Sequence, residues 1–161
     1  MRLVVKEVTI DAPVTLVYQL LTDPAHLVRW RADEADIEPR PGGLVRWRHA
    51  NGDVCTGQVV EAVPSRRLVF TYGWARPEVQ IPPGSTTVEI DLAVTPDGTR
   101  LRLTHHGLAD HMADIHSGGW AHYLSRLVTA TGAGDPGPDP FVDQRVPTPA
   151  ELRGLGVRCD G

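Results

Sequence analysis

Cysteine is scarce in this chain of 161 residues, with only Cys55 and Cys159. One falls in a candidate strand and the other near the C-terminal end, a pattern that excludes a disulfide framework and suits two free thiols in a reducing compartment. Long apolar runs are missing as well. Nowhere do about 18 apolar residues follow one another, and the opening Met-Arg-Leu-Val-Val-Lys-Glu is broken by charge early, so neither a membrane span nor a signal peptide is expected. The expected location is the cytoplasm. Positive charge is not in excess either: 16 Lys and Arg stand against 20 Asp and Glu, a formal net charge of -4. Binding to nucleic acid or to an anionic membrane would work against that field.

Catalytic and metal motifs are absent too. There is no His-Glu-x-x-His and no Cys-x-x-Cys, and His111, His116 and His122 lack the four-residue spacing that aligns ligands on a helix. The four serines, Ser65, Ser85, Ser117 and Ser125, do not stand in Gly-x-Ser-x-Gly, and no glycine loop is placed to cradle a phosphate. No metal and no cofactor are expected.

What is present is an ordered punctuation. Val4, Val8 and Ile10 predict an opening strand, and Ala12-Pro13 leads into a helix with i,i+4 pairs Leu16/Leu20 and Val17/Leu21. Asp23-Pro24 stops that helix, because a residue before proline disfavours helical angles, and a second short helix is expected from Ala25 to about Arg29. From Glu34 to His106, turn signals at Pro41-Gly-Gly43, Asn51-Gly-Asp53, Pro64-Ser65, Pro82-Pro-Gly84 and Pro96-Asp-Gly98 predict an antiparallel meander. Val88, Ile90, Leu92 and Val94 alternate with Glu89 and Asp91, and Leu101 and Leu103 alternate with Arg100 and Arg102, so one face is apolar and the other is expected to carry cross-strand ion pairs. Trp120, Tyr123, Leu124, Leu127 and Val128 form a helical stripe, preceded by Gly118-Gly119, where the helix backbone is expected to approach a strand. Gly and Pro enrichment marks residues 132–161 as a largely flexible tail rather than a second domain, with one capping-box island at Thr148-Pro-Ala-Glu151 that is expected to fray.

The same parity turns Trp47, His49, Phe70, Tyr72, Trp74, Leu101, Leu103, His105, Trp120 and Leu124 inward, with Trp30 near an entrance and Pro77 to Gly84 as a loop over the mouth. Such an aromatic lining suits a flat or oily ligand, and it suits an ordinary core equally well. Substituting Trp74 or Trp120 by a small residue should weaken ligand binding more than it unfolds the domain. The acid-base alternative places His105 or His49 beside Tyr72, with no carboxylate expected nearby to orient the imidazole.

The series Ile10-Asp-Ala-Pro13, Asp23-Pro24, Trp30, Pro41-Gly-Gly43, Gly57, Pro64 to Phe70, Gly98-Thr-Arg-Leu101 and Gly119-Trp120 resembles the START-like helix-grip superfamily over roughly Leu3 to Val128. Within it the chain is most similar to small bacterial proteins of the branch named for activators of a heat-shock-protein ATPase, and it resembles polyketide cyclases and aromatases in outline. The resemblance implies an α+β domain over 1–131, with a curved antiparallel sheet wrapped around a long C-terminal helix, two short helices near the N-terminus and a cavity. The aromatic interior, set against the missing catalytic motifs, makes a binder of a hydrophobic, aromatic or lipid-like small molecule the leading expectation over an enzyme. The alternatives are a cyclase-type cavity enzyme and a co-chaperone-like protein-interaction module, for which no partner surface is evident in the residues.

Overall fold

The computed structural model describes residues 2–132, 134–141 and 144–159. Met1, Ala133, Val142, Asp143, Asp160 and Gly161, parts of the expected first strand and tail, lie outside the described residues. Seven strands form one antiparallel sheet: β1 (Arg2–Ile10), β2 (Glu34–Ile37), β3 (Leu44–Arg48), β4 (Val54–Val63), β5 (Arg67–Trp74), β6 (Thr86–Thr95) and β7 (Gly98–Leu108). Their spatial order is β1-β7-β6-β5-β4-β3-β2, a meander whose first strand returns to the far edge. Helices α1 (Val14–Thr22) and α2 (Pro24–Leu27) follow β1, α3 (Asp110–Thr131) follows β7, and α4 (Pro149–Gly154) lies in the tail. The sheet curves around α3, giving the α+β helix-grip architecture. Among the described residues no helix is long and apolar enough to cross a membrane.

Local chemistry explains the joints. Asp23 has extended backbone angles that end α1, and its carboxylate accepts from the Ala25 N–H at 2.9 Å, so one residue stops the first helix and caps the second. Gly57 is required where β4 meets β5: a Cβ there would fall 1.8 Å from the Thr71 carbonyl oxygen. Gly98 turns β6 into β7 at φ +142, with the Ile10 carbonyl oxygen 2.2 Å from where a Cβ would sit.

The predicted alternation of β6 and β7 is present, with Ile90 opposite Leu103 and Asp91 opposite Arg102. Two details differ. Val94 is 76 % exposed, because it stands beside the turn at the end of the sheet, beyond the packed part of that face. Glu89 and Asp91 pair with Arg67 of β5, which also holds Glu61, rather than with the β7 arginines. These ion pairs are part-exposed and contribute a few tenths of a kcal/mol each, at about the usual surface value.

Helix α3 begins ten residues before Trp120 and runs straight through Gly118-Gly119. The expected close approach at this pair is not there, since a Cβ on either glycine would meet nothing within 4 Å. Its buried face is Met112, Ala113, His116, Trp120, Leu124, Leu127 and Ala130, while Val128 at the end of the predicted stripe is exposed. Trp120, Leu124 and Leu127 of the predicted stripe keep the buried side, which continues along the same face from Met112 to Ala130.

The tail differs most from expectation. The Thr148–Glu151 capping box forms in full, and Leu152 is buried against the core instead of fraying. The anchor is Asp53, whose carboxylate is 2 % exposed and accepts from Arg76 Nε at 2.9 Å, Arg76 Nη2 at 3.0 Å and the Val146 N–H at 2.9 Å. Arg76 also donates to the Val146 carbonyl, and Asn51 Nδ2 donates to the Gln144 carbonyl at 2.9 Å. Burial alone would raise the Asp53 carboxyl, but the hydrogen bonds from Arg76 and Val146 outweigh it and hold the group below its ordinary value. Asp53→Asn should destabilise the protein by about 2 kcal/mol, the usual size for hydrogen bonds to a charged group. It should also make the segment around Val146 the first site cut in limited proteolysis; an unchanged cleavage pattern would show that the tail is held by other contacts.

Candidate functional site

The end of the sheet, the middle of α3 and the docked tail enclose a cavity of about 620 Å³. Each wall has a local origin. Tyr72 and Trp74 come from the inward parity of β5, and His49, Asn51 and Asp53 from the turn between β3 and β4. Helix α3 contributes Ile115, His116, Trp120, His122 and Tyr123 on successive turns, with Gly118 and Gly119 between them. Because these glycines carry no side chain and face open space, they widen the cavity at helix mid-length. The tail closes the outer side with Phe141, Gln144, Arg145, Val146 and Pro147. The Pro77–Val79 turn does not cover the mouth as expected: Val79 and Ile81 are buried in the core, and the Trp74 N–H donates to the Ile81 carbonyl at 2.7 Å.

Of the residues predicted to line a cavity, Tyr72, Trp74 and Trp120 are on its wall. Trp30, Trp47, Phe70, Leu101, Leu103, His105 and Leu124 are also inward, but they lie in the packed core. Trp30 Nε1 donates to the Leu20 carbonyl at 2.8 Å, and the Trp47 ring stands edge-on to Phe70 at 5.4 Å and to Trp120 at 6.4 Å. Of the three candidate acid-base residues, His49 and Tyr72 reach the wall, whereas His105 is fully buried beneath it.

Three buried histidines are wired by their neighbours. Trp120 Nε1–H donates to His105 Nδ1 at 3.0 Å, which leaves Nε2–H to face Thr86 Oγ1 at 2.9 Å while the Thr86 hydroxyl donates to the Tyr72 carbonyl. Trp74 Nε1–H donates to His116 Nε2 at 3.1 Å, and His116 Nδ1–H donates to the Met112 carbonyl at 2.8 Å. Arg31 Nη1 donates to His49 Nε2 at 3.0 Å. Each imidazole therefore has one nitrogen occupied as an acceptor, which is the neutral form. Burial lowers all three: His49 to about 3, reinforced by the Arg31 charge, His105 to about 2 and His116 to about 4. Burial also pushes the Tyr123 hydroxyl up to about 12 and the Cys55 thiol up to about 12. Among the described residues no carboxylate hydrogen-bonds to these three histidines, and no group of His, Cys, Asp and Glu side chains could hold a metal.

Sequence reasoning missed Arg31, His116, Tyr123 and the tail residues of the wall. His116 had a usable signal, since it stands one helical turn before Trp120. Arg31 had none, because nothing in Trp30-Arg31-Ala32 says that the charge turns inward.

A curved antiparallel sheet gripping a long helix, with a cavity at their shared end, defines a protein of the helix-grip class. The model of the family described as Activator of Hsp90 ATPase homolog 1-like protein matches residues 11–132, and the chain belongs to that family. A solved structure of the AHSA1-like protein of Rhizobium etli is 41% identical, covers 89% of this chain and 90% of its own, and superposes with a TM-score of 0.68. The Aha1 dimer from Colwellia psychrerythraea is 23% identical, with 83% of this chain and 98% of that one covered and a TM-score of 0.70. DynU16, a protein of the dynemicin biosynthetic locus, is 23% identical over 83% of this chain and 48% of its own, with a TM-score of 0.72. At these two identities the likeness is one of fold. Among curated proteins none matches.

Proposed function

We propose that this protein binds a hydrophobic, aromatic or lipid-like small molecule in the cavity between β5, α3 and the tail. The observation that carries the proposal is the space itself: about 620 Å³ walled by Tyr72, Trp74, Trp120, Tyr123 and Phe141. That volume and that mixture of aromatic surface with a few polar atoms match small-molecule sites in general. Burying about 300 Å² of apolar ligand surface would favour the complex by roughly 7 kcal/mol before association costs, which suffices for micromolar affinity in a preformed site. In this reading Phe141 and residues 144–147 are part of the binding unit, and the two free thiols suit binding in the cytoplasm. The acid-base reading through His105, His49 and Tyr72 has less support, since His105 is away from the wall and all three imidazoles are held neutral.

The test is an amide and indole NMR titration with fatty acids, flavonoids and aromatic polyketides. Saturable shifts are expected at the indole N–H signals of Trp74 and Trp120, with smaller changes at Trp30 and Trp47. Gly119→Leu should abolish those shifts while the domain stays folded, because a side chain there grows into open space and improves helix propensity. Silence of Trp74 and Trp120 across the whole panel would make the aromatic walls plain packing.

A further inference from the structure

Arg31 is the anomalous residue of the cavity. Its side chain is 3 % exposed, yet among the described residues it has no carboxylate partner, and its Nε has no hydrogen-bond acceptor. The acceptor described for its guanidinium is His49 Nε2 at 3.0 Å. Three rings surround it instead, with Cζ 4.3 Å from the Tyr123 centroid, 4.4 Å from Trp47 and 5.3 Å from Trp120. Cation–π contacts offset part of the desolvation of a buried charge, but they do nothing for the Nε–H donor in the plane of the guanidinium, which stays unsatisfied.

The acids whose charge reaches His49 are already engaged. Asp139 holds His122 Nε2 at 2.8 Å and the Tyr123 hydroxyl at 3.0 Å. Asp53 holds Arg76 and the Val146 N–H, with Arg145 at 3.6 Å. The charged side chains on the cavity wall are thus Arg31, Arg145 and Asp53, two cations against one anion, a local +1 in a chain of net charge -4. A buried guanidinium at the cavity wall, with an Nε–H that has no acceptor and no carboxylate beside it among the described residues, is the complement of a carboxylate.

We infer that the bound molecule is an organic acid, with its apolar body against Tyr72, Trp74 and Trp120 and its carboxylate against the Arg31 guanidinium. This rests on the binding reading above and adds the polarity and orientation of the ligand. The aromatic floor admits the body, and Arg31 decides which end enters first. Arg145, half-exposed at the tail side, is placed to attract the anion but is not its final partner.

Matched pairs test it: 2-naphthoate against 2-naphthamide, and dodecanoate against dodecanamide, titrated into the full chain at neutral pH with the Trp74 and Trp120 indoles as readout. The acids should bind at least tenfold more tightly than their amides. Arg31→Met should reduce each acid to the level of its amide, whereas Arg102→Gln, on the exposed face of β7 away from the cavity, should preserve the preference. Equal affinity of acid and amide for the unmodified protein would overturn the inference and leave the cavity reading standing, and that comparison needs no variant to fold. A preference that survives Arg31→Met would likewise overturn it. If neither member of either pair shifts the indoles, the cavity reading itself falls and this inference with it.

Discussion

Lowering the pH from 7 to 5 is expected to remove about 6 kcal/mol of folding stability, a large share of the ~5–15 kcal/mol that holds an ordinary domain folded. The cause is His49, His105 and His116, which are neutral in the fold with values near 3, 2 and 4 and take the ordinary value of 6.5 once unfolded. Below pH 6.5 the unfolded chain binds protons that the folded chain refuses, so stability is fully present above that value and falls as pH drops toward the folded values. Each group loses about 1.4 kcal/mol per pH unit, or about 2 kcal/mol by pH 5. The geometry gives the reason: protonating His105 Nδ1 or His116 Nε2 would set an N–H against the indole N–H of Trp120 or Trp74. Asp53 acts in a lower window, because its depressed carboxyl stabilises the fold above the ordinary carboxylate value and loses that effect only as pH falls through its folded one. Denaturant melts at half-unit steps between pH 7 and 5 are the measurement. A flat profile over that range would mean that the imidazoles accept protons without leaving the fold, and the hydrogen-bond assignment above would be wrong.

Trp120→Ala should destabilise the protein by about 4 kcal/mol, the usual size for removing a fully packed indole. The ring touches Trp47, Tyr72 and His105 at centroid distances of 6.4, 6.1 and 6.2 Å, and its N–H is the donor to His105 Nδ1. Alanine would open a void and leave that buried acceptor unpaired, two separate losses. The sequence predicts that this substitution weakens binding more than folding, whereas the packing predicts the reverse for Trp120, since the ring is buried against three other rings. Chemical denaturation measures it directly. A loss under about 1 kcal/mol would show that the site collapses easily around the missing ring, and that the indole serves the ligand rather than the core.

Fold and site were legible to different degrees. The turn signals and the period-two runs foretold the strands, because a meander pairs neighbours in sequence and its register follows from turn positions and a single buried face. Trp120 was found by its place in a helical stripe, and Tyr72 and Trp74 by the same parity rule. Leu101, Leu103 and Trp47 obeyed it too, yet lie in solid core, because parity tells which way a side chain points and not whether a partner has already filled the space it points into. Gly118-Gly119 shows the limit from the other side: two missing side chains mean close packing or an opening, and only the neighbouring elements decide which.

By itself, then, the sequence determined an antiparallel meander, an inward aromatic set and a helix stop and start at Asp23-Pro24, since these depend on local angles and short periods, while its resemblance to a known superfamily implied the helix-grip arrangement. Tertiary structure alone decided that Arg31 turns inward without a carboxylate, that Asp53 seizes a backbone N–H ninety-three residues away to dock the tail, and that a cavity remains where α3 carries no side chains. Those are contacts between distant segments. Their energies depend on burial and on what else occupies the space, which no single stretch of chain specifies.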